Sequence, residues 1–502
     1  MSKDSFVKNS ILLTITNLAT GIFKFVFAIY LSRTIGAEGM GLYGLILPIY
    51  DLFCCLICGG LMTSISRETA NYVGKKQMLN IKKTISASLK FDFIWSILIV
   101  IIVFSSSNFI STYILKDSRA LYSLWLICPA VVFVGLSSIV KGYFYGTSTA
   151  TIPAIIDIGE KVVRIFALIL LIEGFAIKDI TSGVTITYAS LAIGEFVSFI
   201  FLYIFYRKKS KNIQTTNLTY KPESSPQMLY NTLAIAFPLC INGFLTTAIA
   251  TVSKLVIPGR LISAGLSHSE ALELIGKFSE MAMTVISFPM IIIMSVSLIL
   301  IPDLSQSISE GKTYSAENRV KSVLMLSFIL GLCTMVLGMT CPASLGQLFF
   351  QRSDLNEFIF IASFSAPIIF LAMASTSILN GLGRQGLVLK NSIISAILQL
   401  ILCFVLTGIP VLNIYGYALG MMISGVVWFI MNMKGINEEL YLEFNYGELC
   451  VYLCITIFTY YVLRLLTLTI SSTFFLKDVI LILVGICLFS LTSFISSKIM
   501  KS

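Results

Sequence analysis

The sequence predicts an all-α polytopic membrane protein with 14 transmembrane helices, and three observations carry that prediction. Hydrophobic residues fill 57% of the 502 positions and charged residues only 12%, against about 25% charged in soluble domains. Apolar runs long enough to cross a hydrocarbon core of about 30 Å recur from one end of the chain to the other. Basic residues gather in every second connector. A soluble fold could not cover so much apolar surface.

The runs begin near Ser10, Gly41, Leu89, Leu121, Ile152 and Gly183, then near Thr232, Lys277, Val323, Phe358, Ser392 and Ile414, and finally near Gly447 and Val479. The first, from Ser10 to Ser32, is too long for a signal-peptide core and reads as a retained helix. The polar, proline-containing stretch RKKSKNIQTTNLTYKPESSPQMLYN, 207–231, reads as a linker. It separates an N-terminal lobe, 1–206, from a C-terminal lobe, 232–434, and leaves 435–502 as two appended spans.

The connectors after spans two and four are echoed after spans eight and ten, with Gly74 opposite Gly311 and Lys82 opposite Arg319. The repeat offset is an even number of spans, so the two six-helix lobes share an orientation. That predicts a pseudo-twofold along the membrane normal around a central cavity.

Connectors on the side of the termini hold 21 basic residues and those on the opposite side 7. Both termini are therefore expected in the cytoplasm. The net charge of +10 follows from topology and implies no nucleic-acid partner.

Several signals exclude other functions. Gly311, Lys312 and Thr313 spell the end of a phosphate-binding loop, but Gln306 stands where its first glycine is required. Cys54, Cys55 and Cys58 have no histidine or further cysteine nearby, and His268 is the sole histidine. No metal, cofactor or enzymatic activity is expected, so uphill work would draw on an ion gradient, Na+ or H+.

Charged groups inside the runs are informative because each costs about 2.5–3.5 kcal/mol at mid-bilayer. The candidates for binding or lining a cavity are Lys24, Asp51, Asp157, Glu160, Lys161, Arg164, Lys254 and Glu280, with Arg33, Arg67 and Arg260 at span ends. Glu195, Lys277 and Arg464 also fall within spans.

In DIGEKVVRIFALIL the first four of these ions of span five share one helical face, with Asp157–Lys161 and Glu160–Arg164 at i, i+4 spacing. Two readings stay open: ion pairs packed on another helix, or the ion-lined wall of the cavity. Basic groups facing a cavity favour an anionic cargo, because diphosphate oxygens accept charge-assisted hydrogen bonds.

The stretch KFVFAIYLSRTIGAEGMGLYGLILPIYDLF, then MTSISRETANYVGKK, resembles the stage V sporulation protein B family. This is the polysaccharide-transport branch of the multidrug/oligosaccharidyl-lipid/polysaccharide flippases. IPGRLISAGLSHSEALELIGKFSEMAMTVISFP, LIPDLSQSISEG and LNGLGRQG are similar to its second half. Arg33, Gly36, Glu38, Gly41, Tyr43 and Arg67 match the family pattern, within R-x-I-G-x-E-G-x-G-L-Y and just beyond it.

The resemblance implies alternating access in the bacterial cytoplasmic membrane and a lipid-tail groove at the two extra helices. It implies an undecaprenyl-diphosphate-linked peptidoglycan precursor as cargo, with membrane lipid and the cell-wall machinery as partners. Where lipid II flippases imply an arginine-rich wall, this chain offers Lys24 and an acid-bearing span five. The alternative is a cation-coupled multidrug exporter of the same superfamily, with Asp51, Glu195 and Glu280 as binding acids.

Overall fold

The computed structural model describes residues 3–175, 179–211, 223–310, 312–444, 446–469 and 477–499. Gly311 and most of the expected linker, residues 212–222, lie outside them. Every regular element among the described residues is helical. In order these are α1 (Lys3–Cys58), α2 (Leu61–Gly74), α3 (Met78–Phe109), α4 (Leu121–Gly146), α5 (Thr151–Gly174), α6 (Ile180–Lys211), α7 (Ser225–Ser263), α8 (His268–Ile275) and α9 (Met283–Ser287). There follow α10 (Met290–Ser309), α11 (Thr313–Thr340), α12 (Pro342–Phe350), α13 (Asn356–Ser363), α14 (Ser365–Gly381), α15 (Gln385–Leu406), α16 (Ile414–Asn437), α17 (Tyr446–Thr469) and α18 (Lys477–Ile499).

The chain is a multi-pass membrane protein. Among the described residues, nine helical stretches are long and apolar enough to cross a membrane, or up to 11 when each bent pair, α8–α9 with α10 and α13 with α14, is one span. Three features account for the difference from the expected 14. The stretch Thr14–Gly74 contains two of the expected runs, α5 is interrupted by its four ions, and the apolar part of α18, Asp478–Ser493, is short. Gly36 divides α1 between those two runs: its φ of 71° and ψ of −174° leave the helical region. A side chain there would strain the backbone.

Several helices outrun their apolar segments. α3 begins at Met78 rather than near Leu89, and α11 at Thr313 rather than near Val323. Hydrophobicity marks only the part suited to hydrocarbon, whereas backbone hydrogen bonding continues into amphipathic turns. The first turns of α3 bury Asn80, Ile81, Thr84 and Ile85.

Packing divides the chain into two compact units, Met1–Phe27 with Leu42–Leu255 and Ala28–Gly41 with Val256–Ser502. In the first unit Ile65, Ile85, Ile139, Phe144 and Leu202 form a core joining α2, α3, α4 and α6. In the second, Leu332, Tyr452 and Phe489 tie α17 and α18 to α11. Within the first unit helix polarity is inverted relative to a soluble protein. Ile94 and Ile101 of α3 are 69% and 62% exposed while Asp92 is fully buried. On α5, Phe166 is 62% exposed and Glu160 only 4%. Apolar faces turned outward and ions turned inward suit a hydrocarbon solvent.

Candidate functional site

The charged face of α5 is the centre of a mixed-charge cluster in the first unit. Its ion pairs are not those that i, i+4 spacing favours. Asp157 binds Lys141 of α4, with Nζ–Oδ1 at 2.7 Å, and Glu160 pairs with the adjacent Lys161. Lys141 lies within helix α4, so its long stem carries the amine across to the neighbouring helix.

Arg164 lies 4.3 Å from the centroid of the Phe27 ring and donates from Nη2 to Tyr43 Oη at 3.4 Å. Tyr188 donates to the Tyr43 backbone carbonyl at 2.9 Å, which fixes the residue that receives the guanidinium. Gly194 lets α6 pass over this face, since a Cβ there would stand 3.0 Å from Glu160 Oε1 and 3.3 Å from Arg164 Cβ. Glu160 Oε1 and Arg164 Nε are buried without a hydrogen-bond partner among the described residues, so the cluster retains an acceptor and a donor.

Other predicted residues converge here. Lys24 of α1 is within electrostatic reach of Lys161, Arg164, Glu160 and Asp51, and it makes no ion pair among the described residues. Asp51 faces both Lys254 and Lys24. Glu195 of α6 joins Glu160, Lys141, Lys161 and Arg164. The cluster therefore carries bases and acids in near balance, with Lys24 its amine outside any ion pair.

The remaining predicted residues stand elsewhere. Arg67 is exposed on α2. In the second unit, Arg33 donates from Nε and Nη2 to the carbonyls of Phe349 and Leu348, both at 2.9 Å, and so caps the C-terminal end of α12. Arg260 donates to the Phe404 carbonyl at 2.8 Å and stacks 4.3 Å from that ring. Glu280 sits in the π-helical turn Gly276–Ala282, where its carbonyl accepts from Thr284 at 2.6 Å.

Sequence reasoning passed over three further features. By hydropathy Lys141 falls at the edge of its apolar run and Asp92 inside an apolar run, so neither stands out in the sequence. In the second unit Asn432 donates to Ser375 and Thr376, both at 3.0 Å, and accepts from Asn391 at 3.0 Å. A search limited to charges misses buried amides. For Asp92 the signal is the polar series Asn80, Thr84, Ser88, Asp92 and Ser96, spaced by four residues.

A family profile described as "Polysaccharide biosynthesis protein" matches residues 6–308, more than half of the chain. The chain belongs to the polysaccharide biosynthesis protein family. A second profile, MatE, matches residues 238–405. Among curated relatives, this family member is 24% identical to "Stage V sporulation protein B" of Bacillus subtilis (strain 168), covering 89% of this chain and 86% of that one. It is 22% identical to "Lipid II flippase MurJ" of the same organism, covering 79% and 76%.

Among solved structures it shares its fold with "Lipid II flippase MurJ, inward closed conformation" (TM-score 0.73, 14% identity, 99% of this chain and 100% of that one). It also shares it with an inward-facing multidrug resistance MATE family transporter of the MOP superfamily (TM-score 0.65, 13% identity, 86% and 98%).

The motif R-x-I-G-x-E-G-x-G-L-Y of this polysaccharide biosynthesis family member has local structural tasks. Arg33 caps a helix and Gly36 breaks one. A Cβ on Gly41 would collide with the Leu272 carbonyl, and one on Gly276 with the Ala37 carbonyl, so two backbones touch through small residues. Tyr43 receives Arg164 and Tyr188.

Proposed function

We propose that this chain is a flippase for a lipid-linked anionic saccharide, an undecaprenyl-diphosphate-linked peptidoglycan precursor used in spore-cortex or cell-wall synthesis. The observation that supports it most is the charge cluster of the first unit, where Lys24, which has no ion pair among the described residues, neighbours Lys161 and Arg164. Basic groups held in an apolar segment suit a diphosphate, which accepts charge-assisted hydrogen bonds that an organic cation does not. The likeness to a sporulation protein and to a lipid II flippase supports the same cargo class.

On this reading Lys24, Lys161, Arg164 and Lys254 of the first unit take the diphosphate, with Asp51, Asp157 and Glu160 as balancing acids. The sugars follow the charged faces while the polyprenyl tail stays in lipid, so charge avoids hydrocarbon. The chain then works by alternating access of two lobes, 1–206 and 232–434, joined by 207–231 and followed by 435–502. Both termini face the cytoplasm, and the cell-wall machinery supplies and receives the cargo.

The test is translocation by the purified protein in vesicles loaded with fluorescent polyprenyl-diphosphate saccharides. Protection of the saccharide from an external quencher is expected. Failure with every polyprenyl-diphosphate sugar offered would remove the proposal. The MatE match favours one second reading, a cation-coupled exporter with Asp51 as its binding acid. Binding of a cationic dye that is lost in Asp51→Asn would support it.

A further inference from the structure

We propose that Asp92 is a proton-binding site that couples transport to a pH gradient, reached along the hydroxyl-bearing face of α3. This rests on the transporter function proposed above. The location differs from the charge cluster: Asp92 is fully buried and neither carboxyl oxygen has a hydrogen-bond partner among the described residues. The residue sits against the backbone of α4, where a Cβ on Gly135 would lie 2.6 Å from Asp92 Oδ2 and 2.6 Å from Ile57 Cγ2 of α1. Only a glycine leaves room for the carboxyl.

No base among the described residues pairs with it. Cys58 of α1 is the ionisable group in electrostatic contact with the carboxyl. On the packed helices, Lys141 of α4 is taken by Asp157, and Arg67 of α2 is exposed beside Glu68. Lys90, on α3 itself, is exposed. An isolated carboxylate between packed helices is strongly disfavoured, whereas the neutral acid is tolerated.

The face leading to Asp92 is equally unusual. Thr84, Ser88 and Ser96 are buried and, with Asp92 between the last two, stand at four-residue intervals; each hydroxyl lacks a hydrogen-bond partner among the described residues, as does Asn80 Oδ1 at the start of the series. A step of four residues rises about 6 Å, so one bridging water between successive groups completes a relay. A structural role would satisfy these groups, because buried polar atoms ordinarily are hydrogen-bonded. Loading transfers a proton from hydronium to the Asp92 carboxylate: an O–H bond forms on the carboxyl, one breaks on hydronium, and water leaves. Unloading reverses this when the face meets the more alkaline side.

Infrared difference spectroscopy on the full-length protein in vesicles, with aspartate carbon-13 labelled, tests the site without reference to any cargo. An isotope-shifted carbonyl band of a protonated aspartic acid is expected near neutral pH, lost on alkalinisation and absent from Asp92→Asn. Its absence from wild-type protein, or its persistence in Asp92→Asn, would overturn the proposal. Labelling reads the wild type directly, so a poorly folding variant does not block the test.

Coupling is read as the ratio of transport rates with and without an imposed pH gradient. This should be about tenfold in wild type and close to one in Asp92→Asn. Acceleration by a sodium gradient alone would overturn the coupling. If no saccharide moves at all while the band behaves as described, the cargo proposal fails and the proton site stands.

Discussion

Lys24 and Arg164 share one electrostatic neighbourhood but differ in how they are held. Arg164 is clamped by a ring, a tyrosine hydroxyl and the passage of α6, whereas Lys24 makes no ion pair among the described residues. Lys24→Ala and Arg164→Ala are each expected to lower saccharide transport per folded molecule roughly ten- to hundredfold, the equivalent of a lost hydrogen bond to charge of about 1.5–3 kcal/mol. Expression should fall less, and equal loss of both, measured by size-exclusion yield against flipping rate, would assign the residues to packing.

Asp354, in the connector before α13, shows the opposite behaviour. Arg352 donates to both its oxygens at 2.8 and 2.7 Å and Lys277 sits at 2.8 Å, which hold its carboxyl well below the usual carboxylate range. A depressed folded value means the stabilisation is complete above about pH 4 and is lost as pH falls through that folded value. The side chain is 40% exposed, so solvent screening limits the effect to about 1 kcal/mol. Thermal unfolding should show Asp354→Asn less stable than wild type at neutral pH, with the gap closing in strong acid.

Helices in this protein are positioned by their smallest residues as much as by their largest. Gly41 and Gly276 bring two backbones together at positions where any Cβ would overlap a carbonyl, and a backbone oxygen cannot swing aside as a side chain can. Gly41→Ala should therefore destabilise the protein by about 1–3 kcal/mol in a thermal unfolding assay in detergent. Gly159 of α5 is the control: nothing lies within 4 Å of the Cβ it would gain, so Gly159→Ala should be neutral or stabilising by up to about 1 kcal/mol. The glycines of the family motif were legible as a pattern, but which of them bends the chain and which touches a neighbour was not. Sequence spacing orders residues along one helix and says nothing about what faces that helix.

The whole molecule is a chain of long apolar helices whose connectors alternate in charge. If positive connectors stay in the cytoplasm, single cysteines placed at either terminus should escape a membrane-impermeant thiol reagent in intact cells and react after permeabilisation. Labelling of one terminus alone would require an odd number of crossings. The 11 native cysteines are free, so the assay needs a background in which Cys450, Cys454 and Cys487, which are exposed, are replaced.

The order of residues alone makes the protein helical, puts it in a membrane and sets ions on one face of span five. Composition and periodicity set those outcomes, and both are properties of residues taken in order. How the ions are shared depends on which helices pack together. Asp157 turns to Lys141 of another helix rather than to Lys161, Lys24 joins the group from a distant span, and Asp92 is left alone among unpaired hydroxyls. In a low-dielectric interior the strength of a charge pair depends on which helices approach closely, and that approach is set where Gly135 and Gly194 let neighbouring helices come near.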